Sequence, residues 1–228
     1  MAKRCVVSWS GGKDSTLVLH RVRQRGLEVA GLLTMFSPET GTSRSHGLPL
    51  DLLKAVAEAH GLPLFVEHGT WADYERQFKR VLGNLVRQGI DSAAFGDIYL
   101  DDHRLWVERV CNEVGCEALE PLWGESTAAL AEEILSLGHR ALVCTVRSDR
   151  LDASWLGHPL DRTFLAHVAE RGIDPCGEQG EYHTVVVDGP GMSRRLAIDS
   201  ARTATSDNHH HWLIEQWHME AKPRGVNP

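Results

Sequence analysis

Ser10-Gly11-Gly12-Lys13-Asp14-Ser15 is the stretch of this sequence best equipped for chemistry. It follows a short apolar run, Cys5–Trp9, and opens an amphipathic one, Lys13–Arg25, which places it at a strand–turn–helix junction. Glycines at such a junction let backbone N–H groups approach an anion closely. The helix that begins there adds unsatisfied N–H groups and the positive end of its dipole. Hydroxyls from Ser10 and Ser15 complete the cradle, Lys13 supplies a cation for phosphates, and Asp14 offers a carboxylate to magnesium. The string is neither G-x-x-x-x-G-K-[ST] nor G-x-G-x-x-G, so the two commonest nucleotide motifs are absent.

A second polar cluster lies at Pro175–Thr184, where Glu178 and Glu181 stand three apart around Gly180, with Tyr182, His183 and Thr184 following. Paired carboxylates in a glycine-bearing loop can hold ammonium, deprotonate an incoming amine or bind a cationic substrate group. The residues alone equally allow a solvated acidic turn leading into a strand. Asp97 is a third candidate, for magnesium or substrate, with a loop cap or an ion pair to Arg104 as the alternative. Glu108 follows Arg104 by four residues and suits either a site or a helix-surface pair. Other polar residues promise less. His209-His210-His211 suits solvated or edge positions, the tryptophans suit the core or a lobe interface, and Cys176 lacks an evident base to activate its thiol.

The elements that must carry these residues are legible from periodicity. Strands are expected at Cys5–Trp9, Val29–Phe36, Leu64–Glu67, Ser92–Phe95 and Ala118–Leu119. Helices are expected at Lys13–Arg25, Leu50–His60, Trp71–Arg87 and Arg104–Val114, with a polar loop at Ser37–Gly47. Such alternation predicts a five-stranded parallel sheet with helices on both faces, an α/β fold. In an open parallel sheet ligands bind outside the carboxyl ends of strands, so Asp97 shares a rim with the glycine-bearing turn. From Trp123 onward the pattern changes. Helices at Ser126–Leu137 and Asp161–Arg171 and a strand at Arg140–Val146 give way to strands at His183–Val187, Arg195–Asp199 and His211–Met219. The first two of these are joined by Asp188-Gly189-Pro190-Gly191. This predicts a smaller, partly antiparallel α+β lobe, with residues 1–122 as one domain and 123–228 as the other.

Composition sets outer bounds. The 228 residues are 42% hydrophobic and 24% charged, ordinary for a globular protein. No apolar run approaches the roughly 20 residues of a membrane-spanning helix, and the N-terminus does not read as a signal peptide, so a cytoplasmic protein is expected. With 24 basic against 31 acidic residues the net charge is −7, which argues against a nucleic-acid backbone binder. Five cysteines without a C-x-x-C pair argue against structural zinc, iron–sulfur clusters and disulfide frameworks. The chain leaves room for a homo-oligomer.

Three strings in order carry a resemblance. The hexapeptide at residues 10–15 resembles the PP-loop of N-type ATP pyrophosphatases. Gly96-Asp97-Ile98 with Arg104, Trp106, Glu108 and Cys111, then Pro121-Leu122-Trp123, is similar to segments of the diphthine–ammonia ligase family within that superfamily. Gly177-Glu178-Gln179-Gly180-Glu181-Tyr182-His183-Thr184 followed by Asp188-Gly189-Pro190 resembles the same family's second signature, and His46 falls where the family carries a histidine. The resemblance implies a HUP/Rossmann-like domain that binds ATP and Mg²⁺ through Ser10–Ser15 and Asp97, with the backbone at Thr34, Met35 and Phe36 contacting adenine. It also implies adenylation of a carboxylate, capture by ammonia to give an amide, and release of AMP and pyrophosphate. Lys13, Asp14, Glu178 and Glu181 would be catalytic, with His46, Arg104, Glu108, Gly180, Tyr182, His183 and Thr184 around the acid. In eukaryotes or archaea that acid would be diphthine borne on an elongation factor. Two other readings compete: a PP-loop enzyme adenylating a tRNA base, and a non-catalytic module that senses ATP or AMP.

Overall fold

The computed structural model describes residues 3–44, 46–206 and 208–222. Strands β1 (Arg4–Ser8), β2 (Glu28–Phe36), β3 (Leu64–His68), β4 (Ser92–Ala94) and β5 (Glu117–Leu119) form one parallel sheet in the order β3-β2-β1-β4-β5. The crossovers are helices α1 (Lys13–Gln24), α2 (Leu50–Ala59), α3 (Tyr74–Arg87) and α4 (Asp101–Glu113). Alternation along β1 explains the layering. Cys5 and Val7 face the core shared with α1 and α2, whereas Val6 faces the core of α3 and α4, built on Phe78, Leu82, Val107 and Val110. The expected doubly covered α/β sheet is therefore present, with helices α3 and α4 starting at Tyr74 and Asp101 rather than Trp71 and Arg104. Asp73 accepts from the Thr70 N–H at 2.7 Å, and this side-chain-to-backbone turn holds residues 70–73 off the helix.

The second sheet is antiparallel. It contains β6 (Arg140–Arg147), β7 (Tyr182–Asp188), β8 (Arg194–Thr205) and β9 (His209–Ala221) in the order β7-β6-β9-β8. Helices α5 (Thr127–Ser136) and α6 (Arg162–Glu170) accompany it, each capped by a side chain, Ser126 to the Ala129 N–H and Asp161 to the Phe164 N–H. Asp188-Gly189-Pro190-Gly191 leads from one edge strand of this sheet to the other, so it is a crossover link and not a hairpin turn. The hairpin is instead β8–β9, longer at both ends than the apolar pattern suggested, because its two strands pair from Arg194↔Ala221 to Thr205↔His210. His209–His211 begin an interior strand paired to β6 on one side, with His210 and His211 also paired to β8, which corrects the expectation of edge or solvated positions. Among the described residues no helix is long and apolar enough to cross a membrane.

The two sheets share a core. Leu17, Val18 and Leu52 belong to the same buried cluster as Val143, Phe164, Tyr182 and Val185. Phe164 is fully buried, edge-on to Tyr182 at 4.9 Å between centroids and to Trp155 at 5.2 Å. Phe164→Ala is expected to cost about 3–5 kcal/mol, read as a lowered urea midpoint with an unchanged m-value.

Candidate active site

In the sheet order the chain direction of travel reverses between β1 and β4, and in such folds the crevice outside the carboxyl ends of the strands opens at that point. The loop after β1 is Trp9–Gly12, and the loop after β4 carries Phe95, Gly96 and Asp97. They meet: a Cβ on Gly96 would lie 3.6 Å from the backbone of Asp14 and Ser15. A cleft of about 690 Å³ opens here, and its lining includes Ser10, Asp14, Ser15, Thr34, Met35, Arg44, His46, Asp97, Glu178 and His183.

The turn at residues 10–12 is tightly built. Gly11 has φ +82°, which side-chain-bearing residues rarely adopt, and a Cβ there would lie 2.6 Å from Leu53 Cδ2. A Cβ on Gly12 would fall 2.4 Å from His46 Cε1 and 3.2 Å from the Thr184 carbonyl. Ser10 Oγ accepts from the Gly12 N–H at 3.3 Å, and Ser15 Oγ donates to the Gly12 carbonyl at 3.1 Å. The second sheet clamps this turn. The Val186 N–H donates to the Gly11 carbonyl at 2.8 Å, and the Lys13 N–H donates to Thr184 Oγ1 at 3.1 Å.

Lys13 does not line the cleft. Its ammonium is only 3% exposed, pairs with Asp14 at 2.8 Å, donates to the Cys176 carbonyl and lies 4.9 Å from the Tyr182 ring centre. Burial pulls its pKa down, but the Asp14 carboxylate beside it more than offsets this and holds it charged. Asp14 keeps its other oxygen, Oδ1, buried and without a partner.

Glu178 and Glu181 part company. The side chain of Glu178 lines the cleft, where Oε1 accepts from the Ile98 N–H at 2.8 Å. Burial, against that hydrogen bond and with help from the Asp14 and Asp97 carboxylates, raises its pKa to about 7. Glu181 is buried away from the cleft and accepts from the Gln179 N–H at 3.0 Å, shaping the loop. Asp97 is raised by burial and pairs with His103 at 3.1 Å, not with Arg104. His46 Nδ1 donates to the Thr184 carbonyl at 2.8 Å, and its ring is 4.7 Å from that of His183. Burial lowers His46 to about 4 and His183 well below its ordinary value, so both are neutral at pH 7, and the tautomer of His46 leaves Nε2 as an acceptor.

The chain belongs to the diphthamide synthase family. The model of the family's N-terminal domain matches residues 3–118, and that of its C-terminal domain matches residues 126–219. A Danio rerio protein named diphthine–ammonia ligase is 28% identical over 218 residues, covering 85% of this chain and 86% of the relative. Its Bos taurus namesake is 27% identical over 222 residues, covering 86% and 83%. A solved structure from Methanocaldococcus jannaschii, described as a predicted subunit of tRNA methyltransferase, aligns with TM-score 0.46 and 18% identity over 82% of this chain and 98% of that one.

Within this member of the family, the structure separates the residues the sequence singled out. Phe36, Glu181, Tyr182 and Thr184 are buried outside the cleft lining. Tyr182 donates to the Pro175 carbonyl and packs against Gly177, whose φ is +67°. Gly180 turns the loop behind Glu178. Arg104 and Glu108 pair with one another at 2.8 Å along α4, and Arg104 lies over Trp123. Cys176 lines the cleft, and its thiol is pushed up to about 12 by burial and donates to the Thr127 carbonyl. Sequence reasoning missed Arg44 and an aromatic wall of Trp71, Tyr74, Phe78, Phe95 and Trp106. Arg44 lay within the polar loop after the second strand, and that position at a carboxyl end was the available signal.

Two outcomes test this geometry. Gly12→Ala must displace His46 and is expected to abolish measurable nucleotide binding by calorimetry while leaving the circular dichroism spectrum unchanged. For Glu178, a folded-state pKa above the unfolded value means that the folded protein binds more protons between about pH 4.5 and 7. Stability contributed by this group therefore falls as pH rises through that window. Glu178→Gln is expected to remove the fall, on the order of 1–3 kcal/mol, when urea unfolding is compared at pH 5 and pH 8.

Proposed function

We propose that this chain is an ATP-dependent amide ligase of the diphthine–ammonia ligase type: a carboxylate is adenylated and then captured by ammonia, giving an amide, AMP and pyrophosphate. One observation carries the reading. Ser10, Asp14 and Ser15 of the glycine turn, the Asp97 carboxylate, and Glu178 from the loop before β7 all line a single cleft at the switch point of the parallel sheet. The relatives named diphthine–ammonia ligase, aligned over more than four-fifths of both chains, supply the reaction.

In this reading residues 1–122 hold the nucleotide and residues 123–228 bring the acid and ammonia to it. Adenine lies at the end of β2 beside Thr34 and Met35, and the phosphates lie over the turn and the first N–H groups of α1. Magnesium, when bound, neutralises charge on the phosphates. Among the described residues no group of three or more histidine, cysteine or acidic side chains forms a metal cage. Asp14, whose Oδ1 has no partner, and Asp97 would hold the ion beside the phosphates. Glu178 Oε2 receives the proton that ammonium gives up, since a base that titrates near neutrality is matched to that transfer. His46 and His183, neutral and side by side, line the same cleft. A diphthine-bearing elongation factor is the acid substrate to try first.

Incubation with ATP, Mg²⁺, ammonium and that factor is expected to yield AMP and pyrophosphate in step with amide. AMP formation without amide would overturn the ligase reading. Glu178→Gln is expected to bind ATP within about threefold of the parent, while amide formation falls roughly 10²–10⁴-fold and the acid limb of the pH profile near 7 disappears.

A further inference from the structure

Carboxylates outnumber fixed cations in the lining of the cleft. Asp14, Glu75, Asp97 and Glu178 line it, and a nucleoside triphosphate would add a tail of several negative charges to the same space. Magnesium offsets only two of them. The cation expected to meet the tail, Lys13, is committed elsewhere: its ammonium is buried between Asp14, the Cys176 carbonyl and the Tyr182 ring. Among the described residues one side chain of fixed positive charge lines the cleft, and it is Arg44.

Its setting is built rather than incidental. The loop after β2 folds back on itself through an antiparallel bridge between Phe36 and Ser43 and another between Thr42 and Pro49, and Ser43 Oγ accepts from the Leu48 N–H at 3.0 Å. This holds Arg44 two residues from His46, whose ring touches the glycine turn. The guanidinium lies over aromatic rings, with its carbon 4.4 Å from the Trp71 ring centre and 5.7 Å from that of Tyr74. One of its N–H groups donates to the Gly69 carbonyl, while Nε is buried with no partner. The aromatic contacts hold the fork in place, and among the described residues its Nε has no partner, a state in which arginine binds an oxyanion with little loss of freedom. Trp71, at 76% exposure the most exposed large apolar side chain among the described residues, has its place explained as the platform for that fork.

We infer that Arg44 is the side chain that binds the phosphate tail of the nucleotide in this cleft, in the role that the glycine turn's own lysine does not fill. The inference rests on the nucleotide site proposed above and adds its charge recognition.

Calorimetry with Mg-ATP and with adenosine on the full chain separates the two. For Arg44→Ala the expected result is a roughly 10- to 100-fold loss of ATP affinity with adenosine affinity unchanged. Arg44→Lys should recover only part of it, because an ammonium lacks the planar fork. Unchanged ATP affinity in Arg44→Ala, or equal losses for ATP and adenosine, would overturn the assignment. A parent protein that binds neither ligand would instead remove the nucleotide site itself.

Discussion

The clamp between the edge of the antiparallel sheet and the glycine turn is the interaction on which this molecule depends. A turn of residues 10–12 exposes backbone groups that must be satisfied, and here β7 satisfies two of them, through Val186 to the Gly11 carbonyl and Thr184 to the Lys13 N–H. An edge strand is a row of unpaired donors and acceptors that proteins must cover. This edge is covered by the turn it supports. Because Tyr182, Thr184 and Val186 lie on the strand that follows the Glu178 loop, the same contact brings that carboxylate to the cleft. Glycine turn and acidic loop are therefore held in one register by backbone geometry.

Lys13 strengthens that register. Burying an ammonium is costly unless it is paired and hydrogen-bonded, and this one has a carboxylate, a carbonyl and an aromatic face. Cys176, which supplies the carbonyl, is two residues before Glu178. The lysine thus ties the start of α1 to the acidic loop from inside, as Thr184 does along the backbone. With the cation withdrawn into this joint, the cleft is left rich in carboxylates. Desolvation, aided by their mutual repulsion, raises both Asp97 and Glu178, and brings Glu178 to the pH range where proton transfer to and from an amine is feasible.

The parallel sheet contributes by topology. Two loops from non-consecutive strands, β1 and β4, open at one crevice because the order of strands reverses between them. The helices α3 and α4 carry the aromatic wall on that side, with Tyr74, Phe78 and Trp106 in mutual contact. Their apolar faces serve the core and the cleft together, which is why their aromatic residues read simply as core in a linear pattern.

The sequence alone determined the alternating elements of the first sheet, the glycine turn after β1 and the family to which the chain belongs, because each of these is written in local spacing. Period and turn chemistry act over a few residues, and a string such as Ser10–Ser15 keeps its meaning wherever the rest of the chain goes. Tertiary structure decided which charged groups face the cleft. Glu178 and Glu181 look alike three residues apart, yet the turn organised by Asp174 and Gly177 sends one to the cleft and the other into its own loop. Lys13 looked like a phosphate ligand until a carbonyl more than a hundred residues away claimed it, and Arg44 had no mark beyond its place in a polar loop. The order of β7 and β8 likewise depended on pairing between distant strands. Long-range pairing and burial leave no trace in neighbouring residues, so only the folded chain could assign them.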